Sequence, residues 1–156
     1  RTELELGNTQ RRSRSTAQRW NGVMRKKSAL VHDPEAIRAL APRLEVELID
    51  MPARLSSTAG TIEIAVAVSN TSDFIVPERL AGKPFRLSYH VLTGAGERYL
   101  WNGEMTDLPS EVHTDARFTM QFKVPPEPGR FRIIPGMFYP GVCWFDDNRE
   151  WEIDVA

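Results

Sequence analysis

Two short stretches of this sequence combine large aromatic side chains with polar ones. One stretch runs from 99 to 104 and the other from 138 to 149. Aromatic faces stack on the apolar side of a sugar ring, while carboxylate, amide and guanidinium groups hydrogen-bond its hydroxyls. Carbohydrate recognition is therefore the chemistry that these residues suit. The aromatic residues are Tyr99, Trp101, Phe138, Tyr139, Trp144 and Phe145, and the polar ones are Asn102, Glu104, Asp146, Asp147, Asn148 and Arg149.

Some of these aromatic residues must serve the core, and we expect at least half of them to do so. Neighbouring residues of a strand point to opposite faces, so Trp144 and Phe145 cannot both be buried if that stretch is extended. One of the two is predicted to be available to a partner.

Residues for catalysis are poorly represented. His32, His90 and His113 belong to different predicted elements, and none has a second ligand at the short spacing of metal sites. Cys143 is the single cysteine and lies in an apolar stretch, which is typical of a small packed side chain. Nucleophile-elbow, phosphate-loop and dinucleotide motifs are absent. The sequence predicts no catalytic residue, no metal and no cofactor, and hence a chain that is not an enzyme.

The elements that would position the aromatic stretches are strands. Apolar and polar residues alternate over 44–48, 62–69, 84–93, 97–101, 114–124, 130–133 and 151–155, with turns between them. This pattern predicts an all-β, antiparallel two-sheet β-sandwich of jelly-roll or immunoglobulin-like type. The residues expected between the sheets are Ile62, Ile64, Val66, Val68, Phe85, Leu87, Phe118, Met120, Phe122, Phe131 and Ile133.

Two outward strand faces stand out. Arg86 and His90, with Ser88 between them, are predicted to form a wet face. On the strand from 62 the outward residues Ala65, Ala67 and Ser69 are small instead of charged. Small outward residues suggest that a loop, a partner or a ligand lies over them.

The first part of the chain differs in charge from the rest. Residues 1–43 carry ten Lys and Arg against four Asp and Glu, and residues 44–156 carry ten against seventeen, giving +6 and −7. We interpret 1–43 as a basic linker or arm with a short helix over 34–41, capped by Asp33, and 44–156 as the β-sandwich domain. A nucleic-acid or anionic-membrane role is the alternative for the arm, but Trp20 is its single aromatic residue and no specific nucleic acid is expected.

The compartment can also be predicted. No apolar run approaches the roughly 18 residues that span a bilayer, and no signal peptide is recognisable. A single cysteine fits a reducing compartment, so we expect a cytoplasmic protein, associated with a membrane only through a parent complex. Because the chain begins at Arg1 instead of Met, we expect it to be part of a longer protein.

Five segments, taken in order, carry a family resemblance. They are Val68-Ser69-Asn70-Thr71-Ser72, Leu87-Ser88-Tyr89-His90-Val91, Leu108-Pro109, Val124-Pro125-Pro126-Glu127-Pro128-Gly129-Arg130-Phe131 and Gly141-Val142-Cys143-Trp144-Phe145. Over roughly 44–156 the chain resembles the C-terminal carbohydrate-binding domain of the O-antigen ABC transporter ATPase subunit (Wzt) and similar domains of bacterial glycan-assembly enzymes. The resemblance implies a cytoplasmic jelly roll that recognises a surface polysaccharide or its modified end. The basic arm does not resemble an ATPase domain, which leaves a glycosyltransferase or methyltransferase open as the parent.

The predicted ligand is thus an oligosaccharide or polysaccharide. The candidate ligand-binding residues are Arg86, His90, Tyr99, Trp101, Tyr139, Trp144 and Asp146. The alternative function is an immunoglobulin-like protein-interaction domain that docks a partner domain or subunit, and a homodimer stays open. Asn70-Thr71-Ser72 also matches a glycosylation sequon, which matters only in a secreted eukaryotic chain.

Overall fold

The computed structural model describes residues 26–156 and is all-β with one short α-helix, α1 (Pro34–Arg38). The strands are β1 (Ser28–Ala29), β2 (Leu44–Ile49), β3 (Arg54–Leu55), β4 (Thr61–Asn70), β5 (Phe74–Ile75), β6 (Arg79–Leu80), β7 (Lys83–Pro84), β8 (Arg86–Thr93), β9 (Arg98–Leu100), β10 (Thr106–Asp107), β11 (Asp115–Lys123), β12 (Gly129–Tyr139), β13 (Cys143–Phe145) and β14 (Trp151–Val155).

The strands form two larger sheets. The seven-stranded sheet has the order β10-β8-β12-β14-β3, with β9 also paired to β8 and β13 to β12. The three-stranded sheet has the order β11-β4-β2 and is antiparallel throughout. Two short pairs, β1-β5 and β6-β7, complete the described part of the chain. The pairings of β14 with β3 and of β1 with β5 are parallel.

Both larger sheets contribute to one buried cluster of apolar side chains. The alternation predicted for β2 and for β4 is confirmed, because Leu44, Val46, Leu48, Ile64, Val66 and Val68 are all buried. On the facing sheet Leu87, Val91 and Ile133 are buried as well. Ile62 and Phe118, also predicted to be core residues, are only partly buried but pack against this cluster. A strand that is buried on one side alternates apolar and polar residues, so the alternation in the sequence located the buried faces.

The segment before β2 belongs to the same cluster. Asp33 caps α1 by accepting a hydrogen bond from the Glu35 amide at 3.2 Å, and Pro34 occupies the first helical position, as predicted. The helix ends at Arg38, earlier than expected, and a 3-10 turn follows over 41–43. Ile37 and Leu40 are buried in the core. The core thus extends N-terminally beyond residue 44, while residues 1–25 of the predicted arm lie outside the described residues.

Strand β12 has proline and glycine at its middle, an arrangement that is rare in a central strand. Pairing of β12 with β14 ends at Ile133, and pairing with β13 begins at Met137. Pro135 therefore falls where neither strand needs its missing N–H. The Asn148 side chain fills this gap, donating to the Pro135 carbonyl at 2.9 Å and accepting from the Val46 amide at 3.0 Å.

Candidate functional site

The outward face of β8 is covered by two other segments. Ser88 and His90 were predicted to be wet, and this is wrong: Ser88 is fully buried and His90 is 1% exposed. Residues 101–105 and 144–146 fold over them and contact them by side chain and backbone. Arg86 stays partly exposed, and its Nε donates to Asp107 Oδ1 at 2.8 Å.

Residues 101–105 form the loop between β9 and β10, and both of these strands pair with β8. The Gly103 amide donates to the Tyr89 carbonyl at 2.9 Å, and the Ser88 hydroxyl lies 3.2 and 3.0 Å from the carbonyl oxygens of Gly103 and Glu104. A Cβ at position 103 would lie 2.3 Å from the Tyr89 ring. Glycine is therefore needed here to let the backbone lie on that ring.

His90 joins the two covering segments. Its Nδ1 bonds the Trp101 carbonyl, and its Nε2 lies 2.8 Å from Asp146 Oδ2. A carbonyl oxygen can only accept, so Nδ1 carries a proton. Through these two contacts His90 holds 101–105 and 144–146 together.

Ring contacts extend this junction into an aromatic stack, which we define as Arg98, Trp101, His90, Trp144 and Phe138. The His90 and Trp101 rings are stacked with centroids 3.8 Å apart and an angle of 6°. The Arg98 guanidinium lies 3.9 Å from the Trp101 centroid, which places it on the other face of the indole. Trp144 is 4.6 Å from both His90 and Phe138. Other side chains of the protein thus occupy the faces of Trp101 and contact Trp144 on two sides.

Gly136 provides the room for Asp146 to cross β12 and reach His90. A Cβ at Gly136 would lie 3.0 Å from the Phe145 carbonyl oxygen and 3.3 Å from Asp146 Cβ. In the adjoining strand β13, Phe145 is buried and Trp144 is partly exposed. This is the split in burial that alternation predicted for those two neighbours.

Part of the 98–105 segment also lines a groove. We call it the Tyr99 groove; its volume is about 580 Å³. The Tyr99 ring packs edge-on against Phe131 with centroids 4.9 Å apart. Burial raises the pKa of the Tyr99 hydroxyl, and the neighbouring Glu127 carboxylate raises it further. The groove is lined by Val91, Tyr99, Leu100, Asn102, Gly103, Glu104, Met105, Lys123, Val124, Pro125 and Pro126.

Tyr139 lies apart from both features and is a core residue. It is 1% exposed, its ring packs on Phe85 at 4.9 Å, and its hydroxyl donates to the Leu80 carbonyl at 2.6 Å. The sequence-based expectation that Tyr139 contacts a ligand does not fit this burial. The predicted strand ended at Ile133, whereas β12 continues to Tyr139, so alternation was not applied to this residue.

The predicted site residues are therefore divided among four places, of which the core position of Tyr139 is one. His90, Trp101, Trp144 and Asp146 meet in the aromatic stack and its junction. Arg86 lies beside them, opposite Phe138 in the register of β8 and β12. Tyr99 faces the groove. Sequence reasoning missed the contributions of Arg98, Met105 and Lys123. No local pattern singled them out, because their roles depend on contacts between segments that are distant in sequence.

The single cysteine gives a prediction of its own. The Cys143 thiol is half-buried and donates to the Trp144 carbonyl at 3.3 Å. Burial raises its pKa, with the Asp146 carboxylate acting in the same direction and the Arg38 guanidinium against it. A smaller thiolate fraction means slower alkylation, so iodoacetamide at pH 8 should label the folded protein about tenfold or more slowly than the protein in denaturant. Equal labelling rates in the two conditions would contradict this.

Within residues 26–156, no group of three or more His, Cys, Asp or Glu side chains is arranged to hold a metal ion. The same part of the chain has no helix long and apolar enough to cross a membrane.

Comparisons with known proteins identify no family for this chain. No family model and no curated protein matches the sequence. Among solved structures, the chain is similar to a Listeria innocua β-glucosidase in complex with gluconolactone, with 17% identity and a TM-score of 0.44, over 72% of this chain and 16% of that one. It is also similar to the Pseudomonas fluorescens alkylpurine DNA glycosylase AlkC bound to DNA containing an abasic site analog, with 11% identity and a TM-score of 0.42, over 79% of this chain and 33% of that one. The chain thus spans less than two thirds of either protein.

Proposed function

We propose that this chain is a non-catalytic carbohydrate-binding module for a bacterial surface polysaccharide or its terminus. In this proposal the two larger sheets face each other as a β-sandwich, which their shared buried cluster supports. The module is cytoplasmic and belongs to a larger glycan-assembly or export protein, as the resemblance of its sequence segments implies.

The observation that carries the proposal is the Tyr99 groove. Its volume of about 580 Å³ lies within the range of small-ligand pockets, about 300 to 1,000 Å³. Tyr99 offers an aromatic surface beside the Asn102 amide, the Glu104 carboxylate and the Lys123 ammonium. This combination provides stacking for a sugar ring and both donors and acceptors for its hydroxyls.

The aromatic stack has a positioning role in this proposal. The faces of Trp101 are occupied by His90 and Arg98, so the ring is not free to stack on a sugar. Trp101 instead anchors the segment from which Asn102 and Glu104 reach the groove. His90 and Asp146 act one step further away, since they hold that segment to β13.

Titration of the module with polysaccharide tests the proposal. A glycan array of bacterial polysaccharides identifies the tightest binder, and calorimetry then compares variants against it. Tyr99→Ala should weaken binding about fivefold or more, since an aromatic contact contributes on the order of 1 kcal/mol. Glu104→Gln should weaken it as well, through loss of a charge-assisted hydrogen bond.

Glu97→Gln is the matched control, because Glu97 is exposed on the same hairpin but does not line the groove. It should bind like the unmodified chain, and all three variants should unfold at similar temperatures. Absence of polysaccharide binding by the unmodified chain, or equal affinity of all three variants, would refute the proposal.

The protein-interaction alternative is favoured by one observation. Leu100 and Met105, which both line the groove, are 36% and 45% exposed, and exposed apolar side chains that share one surface are typical of interaction sites. A protein partner would cover both. Binding of a co-purified subunit that is lost in Leu100→Ser and Met105→Ser, without polysaccharide binding, is the result that would support this alternative.

A further inference from the structure

The loop between β9 and β10 contains an asparagine followed by a glycine, Asn102-Gly103. In such a pair the backbone nitrogen of the glycine can attack the side-chain carbonyl carbon of the asparagine and release ammonia. Glycine hinders this ring closure least, because it has no Cβ. The Asn102 side chain is exposed and lines the Tyr99 groove, so water reaches the group that would leave.

The folded structure keeps the attacking nitrogen occupied. The Gly103 N–H donates to the Tyr89 carbonyl at 2.9 Å, which holds the proton that must be lost and turns the nitrogen toward β8. The side-chain amide of Asn102 and the backbone nitrogen of Gly103 are neighbours in sequence, but this hydrogen bond prevents the nitrogen from turning to attack.

Contacts on both sides of Asn102 fix the backbone that would have to rotate. On one side the Trp101 carbonyl bonds His90 Nδ1. On the other side the Gly103 carbonyl accepts from the Ser88 hydroxyl at 3.2 Å. Rotation of the peptide unit between 102 and 103 breaks the hydrogen bond of the Gly103 amide to β8. Deamidation therefore requires the 101–105 segment to open locally.

We propose that Asn102 is a deamidation site that reacts only when the 101–105 segment lifts from β8. In the open segment the Gly103 nitrogen loses its proton to water and forms a bond to Asn102 Cγ. The bond from Cγ to Nδ2 then breaks, and ammonia leaves with a proton from water. A second water adds to either carbonyl carbon of the cyclic imide, which gives aspartate or isoaspartate at position 102 without any change of oxidation state.

The isoaspartate product is expected to prevent the segment from closing again. Its backbone runs through the side-chain carbons, which adds one main-chain atom and about 1.5 Å of path. The contacts of Trp101 with His90 and of Gly103 with Tyr89 lie on either side of this atom. Both contacts depend on the native spacing, so they cannot be kept together. The conversion thus keeps the segment open, whatever the neighbouring groove binds.

Peptide mapping of the full chain over time tests the proposal, and it separates this site from Asn21-Gly22, the second pair of this kind. The reference is a synthetic peptide of residues 98–106 in the same buffer. Asn102 in the folded chain should deamidate about tenfold or more slowly than in the peptide, because only the open fraction reacts. Equal rates in the chain and the peptide would overturn the proposal.

Two serine variants test whether contact with β8 controls the rate. Ser88→Ala removes the hydroxyl that bonds the carbonyls of Gly103 and Glu104, and it should raise the rate at Asn102 about threefold or more in the folded chain. Ser110→Ala, the same change at an exposed serine, should leave the rate unchanged. If both variants deamidated at the rate of the unmodified chain, opening of the segment would not be the controlling step.

Amide hydrogen exchange tests the consequence of the reaction. Asn102→Asp has the charge of the aspartate product without the extra main-chain atom, so its Gly103 amide should stay as protected as in the unmodified chain. In the purified isoaspartate form the same amide should exchange about tenfold or more faster. Unchanged protection in the isoaspartate form would show that the segment closes in spite of the longer backbone and would refute this part of the proposal.

Discussion

Replacement of His90 by leucine is expected to lower the free energy of unfolding by about 3 kcal/mol, a large share of the stability of a small domain. His90 is 1% exposed and bonds both the Trp101 carbonyl and the Asp146 carboxylate. Leucine has comparable bulk but no ring nitrogen, so the buried contact with the Trp101 carbonyl and the contact with the Asp146 carboxylate are both lost. Urea unfolding followed by tryptophan fluorescence measures the change.

His113→Leu is the matched control for this variant. The His113 ring is exposed, and its Nε2 lies 2.6 Å from Glu111 Oε2. An exposed pair of this kind contributes little, so the control should change the unfolding free energy by no more than about 0.5 kcal/mol. Equal effects of the two leucine variants would show that the His90 junction does not hold the covering segments.

Gly103→Ala is expected to have the second largest effect, a loss of about 2 to 3 kcal/mol. The added Cβ would lie 2.3 Å from the Tyr89 ring, a distance that no pair of unbonded carbon atoms tolerates. Either the ring or the 101–105 segment must move, and four residues of that segment line the Tyr99 groove. Thermal unfolding should therefore shift down, and polysaccharide affinity should fall in the surviving folded fraction.

Two further variants make the Gly103 prediction specific. Asn102→Ala, on the same segment but with an exposed side chain, should leave thermal stability nearly unchanged. In a Tyr89→Leu background the cost of Gly103→Ala should shrink, because the ring that it collides with is gone. If the two changes were simply additive, the steric explanation would be wrong.

Alternation predicted the strands of this chain well where one face alone is buried. Leu44 to Leu48 and Ile64 to Val68 follow this pattern because their alternate residues lie outside the buried cluster. The all-β class follows from these segments. The helix start at Pro34 was also predictable, since its capping depends on neighbouring residues only.

On β8 the alternation pattern gave the wrong burial, because distant parts of the chain cover the strand's outward face. Ser88 and His90 alternate with core residues and look solvent-facing, but residues distant in sequence fold over them. The residues of β8 and its neighbours in sequence do not show that 101–105 and 144–146 cover this face. The length of β12 was missed for a related reason, because Pro135 is tolerated only through the gap between β14 and β13 that Asn148 fills.

The candidate site was predicted in composition but not in arrangement. Trp101 and Trp144, from separate stretches, do meet at His90. Their contacts, however, place indole faces against other side chains. A sequence shows that aromatic residues lie near polar ones, but not which of their faces are already occupied.

The environment of Asn70 affects how this protein should be produced. Its Nδ2 donates to the carbonyls of Phe74 at 2.8 Å and Val112 at 3.2 Å, and its Oδ1 accepts from the amide and hydroxyl of Ser72 at 3.0 and 2.7 Å. An N-linked oligosaccharide is attached to that same nitrogen. Glycan transfer in a eukaryotic secretory pathway would thus compete with folding. Ser72→Ala would remove the acceptor motif together with one of these bonds, that of the Ser72 hydroxyl to Asn70 Oδ1. A bacterial or cell-free host avoids the conflict.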